Sequence, residues 1–565
     1  MHHHLTLRSK IIIMISVMAS LLLVGLDQTI ISTAIGKIVE QFNAYDQLSW
    51  VFTAYLLTTT ITVPIAGKLS DLFGRRRILM IGVAVFVLGS FLSASAGGMT
   101  ELILYRAVQG IGGGIITANA FTIIGDLFAA RERGRWQGLI GATFGLSSLV
   151  GPLLGGYLTD GQQLFGLVTD WRWTFLINIP IGIAAFAIIA IFCPPLRHDD
   201  RKPRIDYAGA GLLAVVLGVL ILAVDNTKQI FQGFLNTSGW SLVDLRVAMY
   251  AIVAAALIGF ILVERKAAEP ILPLRFFKNK NYVLLIVTAA LFGAAFLGSI
   301  LYLTQFNQQV FGASPTTSGL MLLPMIGGLM LTSIASGQLI SRIGKYKIFM
   351  QIGFVVATVG VLALSTLGPD SMYWQEAIIM VFIGMGMGVA LPTLNLAIQN
   401  EFEQHDLGVA TSSSQLFRSL GSTIGTAAFG ALLTAGIVAN IGGIESTTYV
   451  KQLSNNPAIT KIGSLDDSNT LLSLNMPDLK KAVTTHADSA IDKLQLPGAI
   501  KTQQKQLFID NQKEFSRKVT VAFSDSLHTI FYVASGLMAG ATVLVFLLKE
   551  RELKSAKPTD TPGEE

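Results

Sequence analysis

From Tyr282 to Ser341 the chain carries no Asp, Glu, Lys or Arg. A run of about 20 apolar residues crosses a bilayer, so this stretch alone holds two spans and a tight turn. Composition agrees. Of 565 residues, 52% are hydrophobic and 13% charged, whereas a soluble domain carries about 25% charged residues. The net charge of +6 reads as loop charge, because the basic residues fall between apolar runs. Nucleic acid is therefore not an expected partner. The lone Cys193 excludes an intramolecular disulfide and a cysteine metal cluster.

Two short loops repeat. Gly67-Lys-Leu-Ser-Asp71-Leu-Phe-Gly74-Arg75-Arg76-Arg77 joins one pair of apolar runs, and Gly337-Gln-Leu-Ile-Ser341-Arg342-Ile-Gly344-Lys-Tyr-Lys347 joins another. Both follow G-x-L-x₄-G-[RK]-x-[RK]. Such a repeat implies two related halves, the usual plan of secondary transporters, whose substrate site lies between them.

Hydropathy gives fourteen spans, near 11–36, 49–67, 78–97, 100–125, 137–158, 174–194, 207–224, 247–263, 282–306, 317–340, 348–367, 377–398, 408–438 and 525–548. The apolar stretch behind Arg8 and Lys10 is too long for a signal peptide and has no cleavage site after it, so it is the first span. Lys and Arg gather in alternate loops, at Arg75–Arg77, Arg131–Arg135, Arg197–Arg204, Arg265–Lys280 and Arg342–Lys347. By the positive-inside rule both termini are then cytoplasmic. The repeat pairs span 2 with span 10, which leaves spans 7 and 8 as an insert. The expected units are a six-helix bundle over 1–195, two inserted helices over 196–275, spans 9–13 over 276–438, an extracytoplasmic segment over 439–524, and span 14 with its tail over 525–565. Within 439–524, Leu479, Val483, Ala487, Ile491 and Leu494 suit an amphipathic helix, which Leu496-Pro497-Gly498 should break. A second helix is expected to run from Ala499 into span 14. The segment reads either as a solvated hairpin or as a lid or lipid-handling extension.

Charges inside the spans are few. Asp27 lies roughly 24 Å along span 1 and Arg106 roughly 9 Å into span 4 from the opposite side, so both stand at a similar depth in one half. A charge there costs at least about 2.5–3.5 kcal/mol unless paired or hydrated. A buried acid beside a movable Arg is a natural proton carrier; the other reading is a static pair that fixes packing. Arg418, roughly 15 Å into span 13, has no acid visible in the spans of its own half. It faces the cavity, binds an anion, or bonds to exposed carbonyls. At the loop edge, Arg75, Arg76 and Arg77 are placed to pair with Asp126, and Asp71 to cap a helix of the other half. With Gly67 and Gly74 these form an expected conformational latch, asymmetric because Ser341 stands where the first copy has Asp71. Gly151, Pro152, Gly155 and Gly156 suggest close packing and a bend in span 5. Tyr55, Asn119, Asn178, Gln305, Asn307, Gln308 and Asn395 are polar or aromatic candidates for a substrate cavity. The sequence has no G-x₄-G-K-[ST] and no H-E-x-x-H, so no ATP cleavage or zinc chemistry is expected.

These motifs resemble the major facilitator superfamily, and within it the fourteen-helix drug:proton antiporter branch. Gly67–Arg77 looks like the loop 2–3 signature, Arg106-Ala-Val-Gln109-Gly110 like that of span 4, and Gly151-Pro152-x-x-Gly155-Gly156 like the antiporter signature of span 5, with Ser147 in place of a usual Gly. Leu26-Asp27-Gln-Thr-Ile resembles the branch's span 1 motif, and Trp171-Arg-Trp-Thr-Phe-Leu-Ile-Asn178-Ile-Pro180 is also typical. The likeness runs along nearly all of the chain except 439–524.

The expected fold is all-α and integral to the membrane, with two pseudo-symmetric six-helix bundles plus two inserted helices. The resemblance implies alternating access in the cell membrane, with proton influx through Asp27 and Arg106 driving export of a lipophilic or amphipathic compound. The expected protein is a monomer among membrane lipids, without cofactor or metal beyond the coupling proton, and not an enzyme. The enlarged 439–524 segment keeps a lipid exporter or flippase as an alternative. A non-transporting sensor or scaffold is the alternative of another class.

Overall fold

The computed structural model describes residues 6–42, 47–159, 161, 163–164, 166–193, 205–224, 227–313, 315–440, 447–454, 471, 474–475, 477–495 and 497–553. Arg197, Arg201, Lys202, Arg204 and Leu496 lie outside these residues.

Fourteen described helices are long and apolar enough to cross a membrane. They are α1 (Leu7–Phe42), α2 (Leu48–Phe73), α3 (Arg75–Ser95), α4 (Met99–Leu127), α5 (Ala130–Thr159), α6 (Asn178–Phe192), α7 (Tyr207–Val224), α8 (Leu242–Glu264), α9 (Lys280–Gln309), α10 (Leu323–Ile343), α11 (Lys347–Ala363), α12 (Tyr373–Glu401), α13 (Leu407–Asn440) and α14 (Gly498–Leu547). A helix satisfies its own backbone groups, and so it is the form an apolar run takes where water is absent. One short antiparallel ribbon, Gln163–Leu164 with Leu167–Val168, interrupts the pattern between α5 and α6.

Helix pairing repeats between the halves. In the first, α2 and α3 pack on α4, and α1 packs on α5; in the second, α10 and α11 pack on α12, and α9 packs on α13. Across the seam, α5 meets α10 and α2 meets α13, which the repeat makes equivalent contacts. The insert packs as a pair, α7 on α8, and α7 leans on α2. Leu213 and Leu217 share an apolar cluster with Leu416 of α13, so the insert covers the α2–α13 side of the seam. Lys68 ties α2 to Glu269 behind α8 at 2.6 Å.

The extension is a packed hairpin where described. Helix Pro477–Asp492 lies against α14, and the Tyr449 ring packs at a tilt on those of Phe515 and Phe508, with centroids 5.0 and 5.4 Å away. Gln512 donates to the Tyr449 hydroxyl at 3.0 Å, and Ser516 to Asn475 at 2.6 Å. With 50 residues, α14 is about 75 Å long, more than twice the roughly 30 Å of a hydrocarbon core. Its first half is therefore the second limb of the hairpin, continuous with the span.

Glycine sets how closely the helices approach. A Cβ on Gly421 of α13 would overlap the Ala290 backbone of α9, whereas one on Gly536 of α14 would meet nothing within 4 Å. Gly421→Leu is therefore expected to cost about 1–3 kcal/mol by overpacking and to lower the thermal midpoint of the purified protein, with Gly536→Leu melting like the parent. Equal midpoints for all three would contradict this close approach.

Candidate functional site

Five helices of the first half converge on one carboxylate. Asp27 of α1 is fully buried and forms an ion pair with Arg106 of α4. Its other oxygen accepts hydrogen bonds from Gln109 Nε2 of α4 at 2.7 Å and Asn178 Nδ2 of α6 at 3.3 Å. Ser90 of α3 accepts from the same two amides, at 2.6 and 3.2 Å. Arg106 also donates to Gln109 Oε1 at 2.6 Å and lies 4.3 Å from the Tyr55 ring centroid of α2, within cation–π range. The carboxylate thus has three donors from two helices. Loss of one leaves others, so its partners are exchangeable without stranding the charge in apolar surroundings.

The second polar assembly closes the seam at the end that carries the basic loops. Gly74, at φ 94°, makes the sharp link between α2 and α3 that few residues other than glycine adopt. Arg75, fully buried, pairs with Asp71 and, at 2.8 Å through Nε, with Asp126. Asp71 accepts from the Val409 backbone N–H at 3.1 Å, in the first turn of α13, where the helix dipole favours an anion. Gly67 lets α2 close on Ser412 of α13. The repeat-related contact uses Ser341, whose hydroxyl accepts from the Arg135 N–H at 3.1 Å, while Arg131 Nε donates to the Ser341 carbonyl at 2.9 Å. Between these two contacts, Gln137 donates to Gln399 Oε1 at 2.9 Å. Gln399 Nε2 in turn donates to the Phe121 carbonyl at 2.9 Å and to Thr411 at 3.3 Å.

The remaining expected site residues do not gather in one place. Arg76 donates to the Ala190 carbonyl and Arg77 is exposed, so of the three arginines only Arg75 reaches Asp126. Tyr55 and Asn178 belong to the Asp27 cluster rather than to a cavity lining. Asn119 is fully buried and donates to the Ile115 carbonyl of its own helix at 2.8 Å. Gln305 and Gln308 are half-buried on α9, and Asn395 is buried on α12. Helix α5 continues through Pro152 to Thr159. Gly151 packs on Thr29 of α1, and Gly156 has open space around it.

Several polar residues escaped the sequence reading. Ser90, Gln137, Gln399 and Thr411 have no motif signal, and Gln109 appears only inside the span 4 signature. Glu376 is completely buried in the first turn of α12 with Asn307 of α9 beside it. Neither its carboxylate oxygens nor the Asn307 amide reach hydrogen-bond geometry. The hydropathy boundary at residue 377 hid it by one position.

A family model described as "Major Facilitator Superfamily" matches residues 17–426. The chain belongs to that superfamily. It is a multi-pass membrane transporter and not an enzyme. It is 34% identical to "Multidrug transporter protein MdtP" of Bacillus subtilis, over 96% of this chain and 93% of that protein. It is 35% identical to "Multidrug resistance protein 3" of the same organism, over 75% and 79% respectively. Among solved structures, the proton:xylose symporter XylE superposes with TM-score 0.54 at 14% identity, over 82% of this chain and 93% of that one. The human organic anion transporter MFSD10 gives 0.54 at 15%, over 75% and 93%. At these identities the structural likeness concerns the fold alone.

The seam contacts give a testable lever. Asp71→Asn removes the charge facing the α13 N-terminus and leaves Asp126 as the sole anion on Arg75. The native Cys193 is buried, which shields its thiol from the label. Spin labels on cysteines introduced at exposed Glu132 and Lys345, one in each half, are expected to show an added long-distance population in Asp71→Asn by pulsed electron resonance. An unchanged distance distribution would show that Asp71 does not hold this end closed.

Proposed function

We propose that this transporter exports a lipophilic or amphipathic small molecule in exchange for protons, by alternating opening of the seam. The observation that carries the reading is the Asp27 cluster, a fully buried carboxylate whose ion-pair partner and two amide donors are all in place. In a protein with one transport route, a buried acid with replaceable partners is suited to take up a proton and give it back.

The cycle follows from charge balance. Protonation of Asp27 from outside neutralises it and frees Arg106, which Gln109 Oε1 and the Tyr55 ring still hold. Release of the proton inside restores the ion pair. The positive-inside rule favours a cytoplasmic position for the basic loops, the seam contacts and both termini; in that orientation those contacts part for substrate to enter. The membrane potential supplies about 2.3 kcal/mol per charge per 100 mV, and a tenfold substrate gradient costs about 1.4 kcal/mol. One proton per cycle therefore sustains at least a tenfold gradient of a neutral compound.

Export of drug-like compounds is favoured over lipid export by one comparison. The match to the Bacillus subtilis protein named a multidrug transporter takes in 96% of this chain, and so most of the extension over 439–524. An extended hairpin is thus compatible with small, chemically diverse substrates.

The test is flux in proteoliposomes under an imposed pH gradient, with a lipophilic dye and a fluorescent lipid as cargo. Asp27→Asn is expected to fold, to retain dye binding and to lose gradient-driven accumulation by at least tenfold. Full accumulation in that variant would overturn proton coupling through Asp27, and lipid movement without dye movement would overturn the substrate class.

A further inference from the structure

The acid in the last turn of the fourth helix is held differently in the two halves. Asp126 stands near the end of α4 and Glu401 at the end of α12, helices that the repeat makes equivalent. An acid there faces the negative end of the helix dipole, so it depends on donors. In the first half the donor is Arg75, directly after Gly74, fully buried and 2.8 Å from Asp126. The second copy of the loop has Lys345 after Gly344, and Lys345 is exposed. Glu401 instead accepts from Asn279 at 2.9 Å and Asn281 at 2.8 Å, and pairs with Arg551 at 3.2 Å. Its side chain is fully enclosed, whereas that of Arg551 is half-exposed. The second half thus draws its cation from the segment behind α14 and not from its own loop.

That segment, residues 549–553, lies along the basic-loop end of the second half as a strap. Alternate residues of an extended chain point to one side, and here 549, 551 and 553 make the contacts. Lys549 exchanges two backbone bonds with the Asn281 amide of α9, at 3.2 and 3.1 Å. The Arg551 carbonyl accepts from Asn400 of α12 at 3.0 Å. The Leu553 N–H donates to the Gly344 carbonyl at 3.2 Å, and the Leu553 side chain is buried in one apolar cluster with Tyr346. The strap therefore reaches the loop that meets the first half. Arg131 of α5 donates to the carbonyls of Ser341 and Arg342, and a Cβ on Gly344 would touch its guanidinium.

We propose that residues 549–553 complete the second copy of the latch. Arg551 is a positioning residue: through Glu401 it fixes the strap, the strap fixes loop residues 343–346, and that loop presents the carbonyls that hold Arg131. Closure of the basic-loop end then depends on this tail as well as on Asp71, and release of the strap favours the open arrangement. The inference rests on the seam parting during transport and deepens that reading by naming what controls it.

The test is pulsed electron resonance on the full chain in nanodiscs, with spin labels on cysteines introduced at exposed Glu132 and Gln404. One label is in each half, and neither is in the strap or in the loop it holds. Arg551→Ala is expected to fold like the parent, because its side chain is half-exposed, and to shift the balance from closed to open distances about two- to tenfold. Glu401→Gln should do the same, and the double variant should add nothing, since both changes break one pair. Arg551→Lys keeps the charge and should restore most of the parental distribution. An unchanged distribution in Arg551→Ala, whatever its thermal midpoint, would overturn the proposal, as would additive effects in the double variant. Asp71→Asn with the same labels reports whether the seam opens at all, so failure of the strap is read apart from failure of the seam. Neither substrate nor a proton gradient enters the measurement, which keeps it independent of coupling at Asp27.

Discussion

The ion pair between Asp27 and Arg106 is the contact around which the first half is organised. Each partner relies on the other and on the amides and ring around it. Removing one member of a buried pair typically costs about 3–5 kcal/mol, because the other is left uncompensated. The cost shapes the neighbours. Helices α1, α3, α4 and α6 each contribute a polar atom to this point, and α2 contributes the Tyr55 ring beneath the guanidinium. The rest of the half is then free to be apolar, with the Leu23, Phe86 and Ile116 cluster packed to one side of the pair and Ile31, Leu102 and Phe175 to the other. The first half is thus packed around one buried ion pair.

A rigid body moves only if its interfaces are weaker than its interior. Within the halves, helices close to backbone contact at glycines such as Gly421 and Gly112. Between the halves, the bonds at the basic-loop end are side chain to backbone or amide to amide: Asp71 to Val409, Arg131 to Ser341, Gln137 to Gln399. Each contributes about 0.5–1.5 kcal/mol net, somewhat more where charged, and each part has water available once the loops separate. Glycines also bring α5 and α10 to backbone contact across the seam, Gly138 on Ser333 and Gly337 on Gly134, so parting the halves means separating this packing as well as exchanging the polar bonds with water.

Depth was legible in the sequence and lateral position was not. Counting 1.5 Å per residue from the span ends places Asp27 and Arg106 at one level, and the repeated loop pairs α2 with α10. The same reasoning put Asp71 and Arg75 beside Asp126 and a helix N-terminus, because loop-edge residues have few places to go. Which residues share a level on the same side of the bundle depends on helix rotation, set by contacts among helices distant in sequence. Asn178 and Tyr55 looked like cavity residues for that reason, though they complete the Asp27 cluster. The Gln137–Gln399 bond joins residues 262 positions apart and leaves no local trace. Glu376 was lost to a boundary at residue 377, whereas the helix expected to run from Ala499 into span 14 is α14 itself, Gly498–Leu547. Its first half continues as an amphipathic limb against Pro477–Asp492 rather than as an apolar one.

The two halves share a fold and differ in where they place charge, and that difference bears on how a repeat becomes a machine. In the first half Asp27 is matched by Arg106, so this buried site carries no net charge and would gain one unit on the proposed protonation. In the second, Arg418 donates to the Gln415 amide, and Glu376 sits completely buried at the far end of α12. A symmetric pair of coupling sites would make both halves respond to the same ion. With the matched pair in one half only, proton uptake as proposed at Asp27 would act on that half, and cargo need act only on the seam. Coupling then requires no shared residue, because each ligand need only favour one arrangement of the same interface.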